Sequence, residues 1–240
     1  SDINNLSNSV FLIPRSQFKN EIEQAINKTK IKHKKVFYYD REPTKLTKQI
    51  EDLTNYQLRK KNLEDEIQRL EGLSFKDKER KIQNLKKKDS LGNIDFDSVV
   101  IADFDESLKS VITSLLYTDV SPKDKYFITF NQWFDESLLS ENATQPIYFP
   151  SINKNNLEKF NSDFEKKYNH KPNHLSLLSY DLLGLIYYLS IKSDFSDIKN
   201  LFKKENSFKG KIGIFDIKNN KINHRLNFYK IENQKIIEIF

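Results

Sequence analysis

The chain has no cysteine, only five glycines, and one tryptophan in 240 residues. Without cysteine there is neither a disulfide framework nor a thiolate metal centre, and the redox compartment stays open. The few glycines form no G-x-G-x-x-G, no phosphate-cradling loop ending in Gly-Lys-Ser or Gly-Lys-Thr, and no Gly-x-Ser-x-Gly elbow. Nucleotide-dependent and hydrolytic chemistry is therefore disfavoured, and the expectation is a chain that is not an enzyme and carries no cofactor. The one spacing that hints at a metal, His170 and His174, has Pro172 between the two imidazoles. A proline there keeps them off a shared regular helix face, so no metal is expected.

Long apolar runs are scarce as well. The most apolar stretch, Leu175 to Ile191, carries Asp181 at its middle and three serines, and reads as a buried core helix rather than a membrane span. No basic-plus-apolar signal segment follows Ser1, which fits a mature or trimmed product. The formal charge is +6, but acidic residues are interspersed with basic ones throughout, so no nucleic-acid partner is expected.

What the chain does have is a repeated β-loop-α pattern. Ser9 to Ile13 reads as a strand ended by Pro14, Gln17 to Lys30 as a helix with Phe18, Ile22, Ala25 and Ile26 on one face, and Val36 to Tyr39 as the next strand. Val99 to Ala102 is apolar at consecutive positions, as a strand covered on both faces should be, and an acidic, aromatic loop then opens an amphipathic helix. Tyr126 to Phe130 repeats the pattern, and Ile147 to Phe149 gives a further strand closed by Pro150. Asn156 is a candidate cap for a helix bearing Leu157, Phe160, Phe164 and Tyr168. Ser196 to Lys204 reads as a short helix, and Phe208 to Phe240 as strands with turns at Asn219-Asn220 and Glu232-Asn233-Gln234.

Between the second and third strands lies a charged helical stretch, residues 44–89. Leu46, Leu53 and Ile67 share one heptad position, and Tyr56, Leu63 and Leu70 share another. Gly72 breaks the pattern, and Ser74 with Asp77 resembles a capping box ahead of Phe75, Ile82 and Leu85. The expectation is a coiled-coil-like helical hairpin that can be removed at little cost. With thirteen Lys plus Arg against nine Asp plus Glu it supplies +4 of the total charge. A solvated surface and a docking arm for a protein or an acidic polymer both account for that charge.

The fold class is α/β, a Rossmann-like parallel sheet flanked by helices. In such sheets ligands bind beyond the carboxyl ends of the strands. That rule selects Arg15, Ser16 and Phe18 after the first strand, Asp103, Phe104 and Asp105 after the third, and Asn131 and Trp133 after the fourth. Asp103 or Asp105 either accepts hydrogen bonds from a ligand ammonium or hydroxyl, or caps the following helix. Trp133 is either an aromatic wall or loop packing, and Arg15 either holds a carboxylate or is simply exposed. On the binding reading, replacing Asp103 or Trp133 leaves folding intact.

Taken in order, VFLIPRSQF, FDSVVIADFDESLKSVITSLLYTDVSP, EKKYNHKPNHLSLLSYDLLGLI and FKGKIGIFDIKNNKINHRLNFYKIENQKI resemble the type I periplasmic binding-protein fold. Branched-chain amino-acid receptors have this fold, and the segments are especially similar to the penicillin-binding protein activator family of envelope lipoproteins. The resemblance implies that residues 1–150 form a lobe-two-like domain carrying the hairpin 44–89, that 151–210 are helices returning toward lobe one, and that 211–240 are strands completing the sheets. It further implies a non-catalytic periplasmic protein, lipid-anchored through an upstream segment, with a cell-envelope partner such as a peptidoglycan synthase. The alternative is a solute receptor of an ABC transporter that binds an amino acid or a similar small molecule.

Overall fold

A computed structural model of the chain describes residues 8–28, 35–192, 200, 202–203 and 205–240. The chain divides into two units, Ser1–Phe149 with Lys230–Ile237, and Pro150–Tyr229 with Glu238–Phe240. The helix expected over Ser196 to Lys204 falls mostly outside the described residues.

The first unit is built on β1 (Ser9–Pro14), β2 (Lys35–Tyr39), β3 (Ser98–Ile101), β4 (Tyr126–Thr129) and β5 (Ile147–Ser151). β1 pairs in parallel with β2 and β3, β3 with β4, and β4 with β5. The sheet order is β10-β9-β5-β4-β3-β1-β2, with β9 (Asn227–Glu232) and β10 (Lys235–Glu238) at one end. Every residue of β1 is buried, as the continuous apolar run SVFLIP requires of a central strand covered on both faces. Pro14 lies within β1 rather than after it, and Pro150 likewise lies inside β5.

The helices of this unit are α1 (Lys19–Asn27), α2 (Pro43–Thr54), α3 (Tyr56–Glu71), α4 (Lys78–Leu85) and α5 (Asp105–Tyr117). The charged stretch is therefore three helices, because Asn55 adopts a left-handed conformation (φ 51°) and divides the expected first arm. Ser74 does not cap the last of them: Asp77, also left-handed, occupies that position without a side-chain cap bond. The expected removability is corrected at the root of this stretch. Leu46 and Ile50 of α2 are 1% and 0% exposed, and α2 packs on α5, where Thr47 and Ser114 share a hydrogen bond. Arg59 of α3 is buried, donating to the Thr118 carbonyl (2.9 Å) and the Ser90 hydroxyl (2.6 Å). The α2 heptad positions Leu46 and Leu53 are buried in a helix that packs on α5 and β2, so α2 and the start of α3 belong to the core of the sheet domain, while the rest of α3 packs on α4.

The second unit holds α6 (Lys154–Tyr168), α7 (His174–Lys192) and an antiparallel sheet of β6 (Asn206–Lys209), β7 (Ile214–Lys218) and β8 (Lys221–Arg225). The expected turn at Asn219-Asn220 joins β7 to β8 with both residues at positive φ, the geometry that suits a two-residue hairpin. Asn153, not Asn156, caps α6: its side chain accepts the Asn156 N–H at 3.0 Å. Leu185 and Leu189 of α7 pack with Ile217 of β7, and Phe160 of α6 meets Tyr180 edge-on at 5.4 Å. Helix α7 is not the fully buried helix expected from composition. It buries Leu177, Asp181, Leu185 and Leu189 along one stripe, while Leu175, Leu183 and Tyr187 are 71%, 67% and 69% exposed. Asp181 is retained in that stripe because its carboxylate accepts the backbone N–H groups of Lys211 (2.7 Å) and Ile212 (3.0 Å).

Candidate functional site

In the parallel part of the sheet the strand order runs β5-β4-β3-β1-β2, so the chain reverses direction across the sheet between β1 and β3. That is a topological switch point, where the loops leaving neighbouring strands part and open a crevice at their carboxyl ends. Four loops meet there.

Their common centre is Asp103, immediately after β3 and 1% exposed. Its carboxylate accepts the Tyr39 hydroxyl at 2.7 Å, and Arg41 binds it in a fork, Nε at 3.1 Å and Nη2 at 2.7 Å. The Phe104 N–H adds a further bond at 3.0 Å, and the Asp103 carbonyl accepts Gln132 Nε2 at 3.1 Å. One residue thus ties the loops after β2, β3 and β4. The loop after β1 joins through backbone and charge: the Arg15 N–H donates to the Tyr39 carbonyl at 2.8 Å, and Arg15 Nε lies 3.7 Å from Asp40. Burial, reinforced by the adjacent Asp103 charge, holds the Tyr39 phenol far above its ordinary range, so the hydroxyl remains a donor. The bonds to Asp103 hold the Arg41 guanidinium in its charged form.

The selected residues separate into three groups. Asp103 has both carboxylate oxygens committed inside the protein, to Tyr39, Arg41 and the Phe104 N–H, rather than open toward a ligand. It does not cap α5 either, since Phe104 is the N-cap and no side chain completes that cap. Asp105, exposed and at φ 50°, is the first residue of α5. Arg15 remains accessible at the edge, as does Phe104, whose ring lies 6.3 Å from that of Phe130. Ser16 and Phe18 form a local turn in which the Phe18 N–H donates to Ser16 Oγ at 3.3 Å. Asn131 accepts the Trp133 N–H at 2.9 Å, and Trp133 is half-buried at φ 50°. The aromatic next to it, Phe134, packs edge-on against Phe149 at 5.9 Å.

Sequence reasoning did not single out Tyr39, Asp40, Arg41 or Gln132, although Gln132 lies inside the selected loop after β4. Tyr39 ends β2 and Asp40 and Arg41 follow it, in the run YYDR, and the strand-end rule that selected the other loops selects them too. Among the described residues no group of three or more His, Asp or Glu is placed to hold a metal ion. A concavity of about 1130 Å³ lies at the opposite edge, beside Asn8, Asp97, Asp124 and Lys125. Its lining mixes lysines with aspartates away from the switch point, so size alone does not make it the ligand site.

The parallel sheet, its switch point and its flanking helices define a type I periplasmic binding-protein-like fold, and solved structures agree. The chain is similar to a putative branched-chain amino acid ABC transporter protein from Rhodospirillum rubrum, with TM-score 0.63 and 10% identity over 99% of this chain and 62% of that one. An extracellular ligand-binding receptor from Verminephrobacter eiseniae gives 0.57 at 9% identity, covering 98% of this chain and 62% of the receptor. A branched-chain amino acid ABC transporter periplasmic ligand-binding protein from Burkholderia xenovorans gives 0.62 at 8% identity, over 99% of this chain and 59% of that one. The chain thus spans about three-fifths of the length of these relatives. No protein-family profile and no curated protein matches its sequence.

Proposed function

We propose that this chain is part of a non-catalytic, periplasmic solute-binding protein, and that the crevice at the β1/β3 switch point takes a small ligand bearing a carboxylate. One observation carries the reading: buried Asp103 ties the loops after three parallel strands, the loop after β1 joins them at Tyr39 and Asp40, and the guanidinium groups of Arg15 and Arg41 are about half exposed there. Arg15 engages Asp40 only at 3.7 Å, so its planar donor face is available to pair with a carboxylate. Phe104, 44% exposed, and half-buried Trp133 offer apolar surface for the rest of an amino-acid-like ligand. The structural relatives are named as amino-acid transport or ligand-binding proteins, which favours a solute over a protein partner. The reading as an activator of peptidoglycan synthases rests on the motif resemblance alone.

Isothermal titration of the full chain with a panel of amino acids and simple carboxylates tests the reading. Saturable heat is expected with a carboxylate ligand, weakened about tenfold in Arg15→Ala, since a charge-assisted hydrogen bond contributes about 1.5–3 kcal/mol in a desolvated site and less at an edge. No saturable binding by any of the panel, or binding unaltered in Arg15→Ala with an unchanged melt, overturns it.

A further inference from the structure

Almost all of the protein's net charge is concentrated in one short segment of the first unit. Residues 76–88, KDKERKIQNLKKK, hold seven basic and two acidic residues, a net +5 against +6 for the whole chain. The neighbouring α3 does not cancel this, because its four basic residues are matched by four acidic ones. Nor is the segment consumed by ion pairs. Lys86 lies 3.5 Å from Glu71, Lys78 donates to the Glu71 carbonyl at 2.6 Å, and Lys81 sits over the Phe75 ring. Among the described residues Lys76, Arg80, Lys87 and Lys88 have no ion pair, and all four are exposed.

An apolar element sits within this charge. The turn between α3 and α4 exposes 44% of Leu73 and leaves Phe75 half-buried, while Ile82 holds α4 down by burying its inner face. The segment therefore sets Leu73 and Phe75 at one end of α4, with exposed cations running along it from Lys76 and Arg80 to Lys87 and Lys88 at its other end, where these two also line the groove beside Asp97 and Asp124.

We propose that the exposed face of α4 with its flanking residues, Leu73 to Lys88, is a docking surface for the anionic face of a phospholipid bilayer. Six of the seven cations are lysines, compact hydrated charges that suit a diffuse array of phosphate headgroups better than the bidentate carboxylate recognition at which arginine excels. An acidic protein groove would leave Leu73 without a role, whereas a headgroup layer accepts both the charges and an inserted apolar side chain. This proposal rests on a surface separate from the switch-point crevice, so its outcome is independent of the solute-binding reading.

Vesicle co-sedimentation of the full chain is the test, comparing phosphatidylcholine alone with phosphatidylcholine containing about 30% phosphatidylglycerol. Binding to the anionic vesicles only is expected, with a steep fall between about 50 and about 300 mM NaCl. The triple variant Lys76→Gln, Lys87→Gln, Lys88→Gln should bind roughly 100-fold more weakly, since each lysine near an anionic surface contributes about a factor of five. Its melting temperature should match the parent, because all three side chains are exposed. Leu73→Ser should weaken binding several-fold without changing the salt dependence. Equal binding to both vesicle types, an unweakened triple variant, or preference for a poly-glutamate peptide over the anionic vesicles would overturn the proposal.

Discussion

Replacing Asp103 with alanine separates a positioning carboxylate from a ligand-facing one. The substitution removes the acceptor for the Tyr39 hydroxyl, whose side chain is 0% exposed, and releases Arg41, whose side chain is 49% exposed. Stranding a buried hydroxyl costs about 1–3 kcal/mol. The half-exposed guanidinium can turn to water, so the ion pair adds at most about 1 kcal/mol. The expected loss is about 2–3 kcal/mol, a drop of roughly 5–10 °C in the melting temperature of a chain this size. Tyr39→Phe alone should cost about 1 kcal/mol, and Asp103→Ala in that background should fall short of additivity by a similar amount, because the hydroxyl it would strand is gone. Thermal and urea melts of the four proteins in the cycle measure both quantities. A melt of Asp103→Ala within about 1 °C of the parent, or full additivity in the cycle, would refute the account of Asp103 as the tie between loops.

Leu46→Ala and Ile50→Ala in α2 should each destabilise the first unit by about 2–5 kcal/mol in urea melts, whereas Leu58→Ala, at a position 60% exposed, should stay within about 0.5 kcal/mol. Gly210→Ala should cost about 2–4 kcal/mol in the second unit, because the new Cβ would lie 2.2 Å from Asp181 Oδ2, which accepts the Ile212 N–H, and would displace the carboxylate whose Oδ1 accepts that of Lys211. Burial lowers the pKa of His224, with Asp181 opposing, and Nε2 is buried with no hydrogen-bond partner among the described residues. The folded state thus binds this proton less readily than the unfolded chain, so stability is full above the ordinary histidine pKa of about 6.5 and falls as pH drops below it. His224→Phe should flatten that part of the pH–stability profile, and an identical slope in parent and variant would exclude His224 as its source.

Much of the sheet is legible in the sequence because consecutive β-branched runs bounded by polar loops have few other uses. Ser9 to Ile13, Val99 to Ala102 and Tyr126 to Phe130 each mark a parallel strand to within about one residue. The site is legible only as a place. The strand-end rule finds the loops, but whether a carboxylate faces solvent or a neighbour depends on which strands lie adjacent, and β2 and β3 are separated in the sheet only by β1 while lying far apart in sequence. Asp103 therefore looks like a ligand acceptor until Arg41 and Tyr39 are seen to fill it. Periodicity misled in two helices for related reasons. The heptads of residues 44–71 register a buried stripe without saying whether another arm or the sheet domain covers it, and the left-handed Asn55 leaves no trace in the pattern. Helix α7 is apolar nearly all round, a composition that signals burial, yet only its Leu177–Asp181–Leu185–Leu189 stripe is covered.

Chemical-shift mapping of the full chain during titration with carboxylate ligands tests the central claim most directly, because it locates binding without presupposing affinity. The protein's one tryptophan, Trp133, and the Nε–H groups of Arg15 and Arg41 are isolated reporters at the switch-point edge. The account predicts saturable shifts at Arg15, Arg41, Phe104 and Trp133 that share one dissociation constant. Shifts confined to the groove beside Asp97 and Lys125, with the switch-point residues unmoved at saturation, would contradict it.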